Sequence, residues 1–313
     1  MHKTTTQVLG LFTLFFLLPL WLSAQMIWPG DINNNGIVNG IDYLYWGVAN
    51  QNNGPARPDA TVAWEEQPMG AAWSNQFPGG INQAYADANG DGQITAADAD
   101  ALNTNFNLNH GTQTPDAFQT GPLSGGEPGI RFELTSEEAV ASGETGGVIM
   151  TLAQELPFSA FYGITFTLNY QPGILTASNG ILIGLISETF LNPDNSDVAA
   201  FVNNNSATGK AVITIVRTDQ NNVAGGGKVA RILLNFADLT VPGTPDQLNF
   251  TISNVRAIDH DMNTIMMQPG SFSFSTQGVS AGCPNTVSPV CGSNGQTYLN
   301  SCYAEAAGIF NYT

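Results

Sequence analysis

Between residues 130 and 276 the chain alternates. Tyr162, Ile164, Phe166, Leu168 and Tyr170 are separated by Gly163, Thr165, Thr167 and Asn169. That period of two puts one side of a strand in a core and the other in water. Further strands are predicted at 130–134, 148–152, 211–217, 229–236, 248–255 and 271–275, with the turn phrases QPG, NPDN, AGGG and VPGTPD between such runs. Many short strands joined by polar turns predict an antiparallel β-sandwich. The pattern ahead of residue 111 differs. Ile41, Leu44, Tyr45 and Val48 share one helical face, and Ile94, Ala97, Ala101, Leu102 and Phe106 outline a second. Gly/Pro/Thr-rich stretches at 112–129 and 277–282 divide the chain. The expected fold class is therefore multidomain and mainly β: a small α unit at 26–111, a linker at 112–127, a sandwich at 128–276, a second linker at 277–282 and a small module at 283–313.

Residues 8–22 are apolar, follow Lys3 and end in Leu22-Ser23-Ala24. This is the layout of a secretory signal with cleavage before Gln25, and it is short for a membrane span. Residues 1–24 are accordingly expected to be a signal peptide, which places the protein outside the cell or at its surface. After them seven Lys plus Arg remain against 25 Asp plus Glu, a net charge of about −18, which disfavours nucleic acid and anionic membranes as partners.

Part of that acidity is organised. DINNNGIVNGID (31–42) and DANGDGQITAAD (87–98) place oxygen side chains at loop positions 1, 3, 5, 9 and 12 and glycine at position 6. This is the ligand order of an EF-hand-type calcium loop, in which the glycine permits the sharp turn. The candidate ligands are Asp31, Asn33, Asn35, the Ile37 carbonyl, Asn39 and Asp42 in the first loop. In the second they are Asp87, Asn89, Asp91, the Gln93 carbonyl, Thr95 and Asp98. Two calcium ions are expected, with the second bound more tightly because Asp91 adds a third carboxylate. Chelation should lower the melting point of this unit and leave the sandwich unaffected.

A loop followed by a helix, twice, resembles a dockerin, the duplicated calcium module that docks onto cohesin domains. The likeness covers about 28–111. An insertion at about 51–86 carrying Trp64 and Trp73 separates the halves. The positions such modules use for partner recognition hold Gly40-Ile41 and Ala96-Ala97 instead of a hydroxyl pair. Residues 128–276, through YGITFTLNYQPGIL and VITIVRTDQNNVAGGGKVARILLNF, resemble a cohesin-like or carbohydrate-binding-module-like sandwich. Trp46, Trp64 and Trp73 could stack on sugars, but isolated aromatics are more often core.

Catalysis finds little support. After residue 24 the histidines are His110 and His260, and no G-x-S-x-G elbow is present. His260 lies between Asp259 and Asp261, whose side chains diverge from it, and is expected on a polar turn. Glu65-Glu66 and Glu137-Glu138 are adjacent pairs, whereas glycosidase acids come from separate elements. No enzyme is expected.

All three cysteines lie near the end, in CPNTVSPVCGSNGQTYLNSCYAEAAGIFNYT, which suggests a stapled mini-domain in an exported chain. PVCGSNGQTYLNSC and AEAAGI resemble a Kazal-type inhibitor domain. The resemblance implies a Cys283–Cys302 bond, whose loop closure is worth about 3 kcal/mol. It also implies a partner for Cys291 beyond residue 313. Two family cysteines are absent, one before Cys283 and one at Glu305. The family's inhibitory bond would fall at Asn285-Thr286, and asparagine does not suit a trypsin-like pocket.

The sequence thus points to a secreted, non-catalytic modular protein that binds or assembles extracellular protein or polysaccharide. The alternatives are a serine protease inhibitor, with a protease as partner, and an accessory part of a polysaccharide-degrading system.

Overall fold

The computed structural model describes residues 25–58, 60–135, 139–195, 197–239, 244–276, 283, 286–307 and 309–313. The expected signal peptide, Glu137-Glu138 and Asn285 lie outside the described residues.

The N-terminal unit contains β1 (Met26–Ile27), α1 (Gly40–Ala49), β2 (Gln67–Pro68), a 3-10 turn (Gln83–Ala86) and α2 (Ala96–Asn105). Both helices start the same way. The side chain of Asn39 accepts from the Ile41 amide and that of Thr95 from Ala97, while Asp42 and Asp98 at the third helical position reach back to the cap amide. Such capping boxes satisfy the first unpaired N–H groups of a helix. The residues at 51–86 do not hang off the unit. β1 pairs antiparallel with β2, and Met69, Trp73 and Phe77 join Ile27, Ile32, Leu44, Trp46, Ile94 and Leu102 in its core. Trp46 Nε1 donates to the Thr95 carbonyl at 2.8 Å and Trp73 Nε1 to the Pro55 carbonyl at 3.1 Å. Both rings are packed inside, and Trp64 lies against Trp28 and His110. Ala97 is exposed, unlike the other residues expected on the second apolar face.

The sandwich follows as β3 (Ile130–Leu134), β4 (Ala139–Val140), β5 (Thr145–Leu152), β6 (Phe158–Phe161), β7 (Gly163–Asn169), β8 (Ile181–Leu185), β9 (Val198–Asn205), β10 (Lys210–Arg217), β11 (Val223–Gly225), β12 (Gly227–Asn235), β13 (Gln247–Ile258), β14 (Thr264–Ile265) and β15 (Ser271–Thr276). One sheet has the order β4-β15-β13-β7-β10-β9, with β14 on β13; a second is β3-β5-β12-β8, and β6 pairs with β11 apart from both. All pairings are antiparallel except β15 with β4. The predicted strands are all present, and the core between the sheets holds Met150, Phe166, Ile213, Ile232, Phe236, Phe250 and Phe274.

One expectation about the alternation fails. The second side of β7, read as facing water, is covered: Thr165 is 1% exposed and Thr167 6%. What covers it is α1. Tyr162, Val216, Ile258 and Met262 of the sandwich belong to the apolar core of the N-terminal unit. The tail adds β16 (Val290–Cys291) paired with β17 (Thr297–Tyr298), then α3 (Ser301–Ala306), with a Cys283–Cys302 disulfide.

Candidate calcium loops and the docked helix

In both loops the position-6 glycine has positive φ, 86° at Gly36 and at Gly92. Space also requires glycine there. A Cβ on Gly36 would lie 2.8 Å from the His110 carbonyl oxygen, and one on Gly92 would lie 2.7 Å from that of Gly54. Those contacts expose a reciprocal arrangement. The chain leaving α1 runs over the second loop: Gln51 N–H donates to Ile94 O, Ile94 N–H to Asn52 O, Gly54 N–H to Gly92 O and Arg57 N–H to Gly90 O. The chain leaving α2 runs over the first: Asn107 N–H donates to Val38 O, Val38 N–H to Leu108 O, His110 N–H to Gly36 O and Thr114 N–H to Asn35 O. Each loop is held by the segment that follows the other loop's helix.

The carboxylates at positions 1 and 12 are buried. Asp31 is 1% exposed, and Asp42, Asp87 and Asp98 are 0%. Asp42 accepts from the amides of Ile32, Asn33 and Asn39, and Asp98 from those of Asn89 and Thr95. Asp31 accepts from Asn35 and Gly36, and His110 Nε2 stands 2.8 Å from its Oδ2. Burial, then the neighbouring Asp31, holds the Asp42 carboxyl well above the usual range. Burial and Asp98 push Asp87 up to about 6, and burial raises Asp98. Carboxylates desolvated this way favour a bound cation.

The donor set fits calcium. Asp87 Oδ1 is buried with no hydrogen-bond partner, which leaves its lone pairs open to a cation. Among the described residues no three His, Cys, Asp or Glu side chains gather into a cation site unaided. An ion in either loop therefore draws on amide and carbonyl oxygens as well, which a hard cation such as calcium accepts.

Three further residues matter here that the loop motif does not mark. Arg57 is buried beside the second loop, donating from Nη2 to the carbonyls of Asp87 (2.7 Å) and Ala88 (3.1 Å). His110 stacks on Trp28 at 4.6 Å. Asp116 meets the first loop from within the stretch expected as a linker, which elsewhere pairs Gln119 N–H with Val255 O. Nothing in local sequence marks them, because each acts across a long stretch of chain.

Helix α1 lies on the face made by β7, β9 and β10. Its glycines set the distance: a Cβ on Gly40 would meet Thr165 Oγ1 at 2.1 Å, and one on Gly47 would meet Val216 Cγ2 at 2.4 Å. Tyr162 Oη donates to the Gly47 carbonyl at 2.9 Å, and Gln220 Nε2 donates to Asn50 O and Asn52 Oδ1. Phe201 stacks on Tyr43 at 4.0 Å and meets Trp46 edge-on at 5.5 Å. The hydroxyl pair absent at Gly40-Ile41 is found opposite: Thr214 Oγ1 donates to Thr165 Oγ1 at 2.8 Å and reaches the Gly40 carbonyl at 3.4 Å. The corresponding Ala96-Ala97 of α2 are exposed.

His260 sits on the turn after β13, its N–H donating to Asn222 Oδ1 at 2.7 Å and its ring against Tyr162. In the tail, Asn300 caps α3 and donates from Nδ2 to the carbonyl of exposed Thr286 at 2.9 Å. Cys291 is in no disulfide and is exposed.

Family models match two stretches of the chain. Residues 29–107 match the Dockerin type I domain and residues 279–311 the Kazal-type serine protease inhibitor domain. Dockerin type I domains are calcium-binding, non-catalytic assembly modules. No similarity to a curated protein is found. Similar solved structures include three cohesins. A cohesin module from a Clostridium perfringens family 33 glycoside hydrolase is 11% identical, with 47% of this chain and 96% of that chain covered and a TM-score of 0.35. The second type II cohesin module of the Acetivibrio cellulolyticus ScaA scaffoldin is 9% identical (47% and 96% covered, TM-score 0.35). A non-cellulosomal cohesin from the archaeon Archaeoglobus fulgidus is 16% identical (48% and 91%, TM-score 0.31).

Proposed function

We propose that this chain is a non-catalytic extracellular assembly protein whose calcium loops hold a helix against the protein's own β-sandwich. The observation that carries this reading is the seating of α1 on β7, β9 and β10, glycine to threonine at Gly40 and glycine to valine at Gly47. Asp31, Asn33, Asn35, the Ile37 carbonyl, Asn39 and Asp42 would hold one ion; Asp87, Asn89, Asp91, the Gln93 carbonyl, Thr95 and Asp98 would hold the other. A bound ion neutralises the buried carboxylates and fixes the loop that leads into each helix. Capping boxes, position-6 glycines and covering segments do the rest, placing α1 with its small residues towards the sheet. Because the helix–sheet contact is satisfied within the chain, its outside partner, an extracellular protein or polysaccharide, must bind elsewhere. Chelation tests the reading: it should lower the melting midpoint and expose the sites buried under α1 to protease. An unchanged midpoint and digestion pattern would count against it.

One observation favours a second role. Asn300 Nδ2 donates to the Thr286 carbonyl, and in a Kazal-like domain Asn285-Thr286 would be the bond presented to a serine protease. A panel of serine proteases assayed against the full chain and an Asn300→Ala variant tests it. Inhibition that weakens in the variant supports the role, and no inhibition removes it.

A further inference from the structure

After residue 24 the chain holds four tryptophans, Trp28, Trp46, Trp64 and Trp73, and the fold treats them in two ways. Trp46 and Trp73 are buried, and each indole N–H donates to a backbone carbonyl. Trp28 and Trp64 are half-buried. Among the described residues neither of their Nε1 atoms donates to the protein, and neither is sealed from water. The two rings lie together, centroids 4.9 Å apart and planes at 56°. His110 backs them, stacked on Trp28 and edge-on to Trp64 at 5.7 Å. Val62 and Leu108, 41% and 38% exposed, lie alongside. Buried Asn105 gathers these segments: its Nδ2 donates to the carbonyls of Pro29 and Val62, and its own carbonyl accepts from the Leu108 N–H.

We propose that Trp28 and Trp64, rimmed by Val62 and Leu108, form a binding platform for a neutral polysaccharide. This names the outside partner of the function proposed above and rests on that reading's extracellular placement. Three observations choose the ligand. The first is chemistry. An indole is apolar on its faces and polar at its N–H, and a sugar ring is the complement, with C–H groups on a face and hydroxyls around its edge. The second is size. Two partly exposed aliphatic residues and two half-buried rings present on the order of 200–300 Å² of apolar surface, against about 800 Å² per partner in a standard protein interface. That is too little for a protein or a second copy of this chain, and enough for one or two sugar rings. The third is charge. Glu65 and Glu66 beside Trp64 are exposed, and residues 58–115 contain no Lys or Arg. The guanidinium of Arg57 is buried against the second loop. An anionic glycan would meet carboxylates here and no cation. The stack on His110, whose Nε2 is 2.8 Å from Asp31 Oδ2, holds Trp28 in place before any ligand arrives, which lowers the cost of binding.

Affinity electrophoresis of the full chain in calcium tests the proposal, with native gels containing hydroxyethylcellulose, glucomannan, soluble starch or, as the anionic comparison, polygalacturonate. At least one neutral polymer should retard the chain, and polygalacturonate should not. Trp64→Ala should raise the dissociation constant for that polymer at least tenfold. Trp64→Phe, which keeps a ring but loses the N–H, should recover part of the loss and rules out misfolding as its cause. Retardation by no neutral polymer would overturn the proposal, as would retardation by polygalacturonate alone or binding that Trp64→Ala leaves unchanged. Self-association in sedimentation that Trp64→Ala abolishes would assign the patch to a second copy instead. If the neutral polymers fail while chelation still lowers the melting midpoint, the platform falls and the seating of α1 stands.

Discussion

Gly47→Ala separates a docked helix from a free one by the sign of its effect. Gly47 lies inside α1, and in a helix whose surface is open, alanine for glycine is stabilising by about 1 kcal/mol. In this structure the added methyl would sit 2.4 Å from Val216 Cγ2 and 2.8 Å from the Arg217 carbonyl oxygen. Val216 is a β-branched side chain on a strand paired on both sides, and the carbonyl is backbone, so neither can turn aside cheaply. Relief requires the helix to lift. Overpacking of this kind costs about 1–3 kcal/mol. Lifting also strains the hydrogen bond from Tyr162 Oη to the Gly47 carbonyl, worth about 1 kcal/mol. The net expectation is a loss of about 1–3 kcal/mol, which lowers the melting midpoint by several degrees for a unit of this size. Urea unfolding followed by circular dichroism, in calcium, measures it. A gain of about 1 kcal/mol would refute the docking, because it is the value for a helix with nothing against it.

Other outcomes follow from the same contacts. Phe201→Ala removes the ring held against Tyr43 and Trp46 and should cost about 2–3 kcal/mol in chemical denaturation, less than a fully buried phenylalanine because Phe201 is half-buried. Asp87→Ala removes the carboxylate whose Oδ1 has no protein partner; it should abolish one calcium in a calorimetric titration while the other is retained. Reduction of the Cys283–Cys302 bond should destabilise the tail by about 3 kcal/mol, seen as faster proteolysis near α3, and leave the unfolding of the sandwich unchanged. Asn300→Ala should cost the tail about 1 kcal/mol as a lost N-cap, measurable as increased amide exchange in α3.

The sandwich was legible because its strands alternate strongly: Ile164, Phe166 and Leu168 on β7 and Ile213 and Ile215 on β10 all enter the core. β9 was not foreseen, since its Ala and Asn residues carry little strand signal, yet it supplies Phe201 to the interface. The twelve-residue loops were legible from side-chain spacing alone. The docking was not. Gly163, Thr165 and Thr167 are small or polar, a pattern that suits water and suits a closely approaching helix equally well. Gly40 read as a missing hydroxyl, while Thr165 and Thr214 stood across the contact. Asp116 and Arg57 lie outside any local frame, because they reach their loops through the covering segments. An expectation of independent melting also changes: with Tyr162, Val216, Ile258 and Met262 in the core of the N-terminal unit, losing calcium must be felt by the sandwich too.

That coupling is the most direct test. Scanning calorimetry of the full chain, with calcium and after chelation, should show the calcium unit and the sandwich unfolding in one transition that moves upward as a whole when calcium is added. Two transitions, one shifted by calcium and a larger one indifferent to it, would contradict the account.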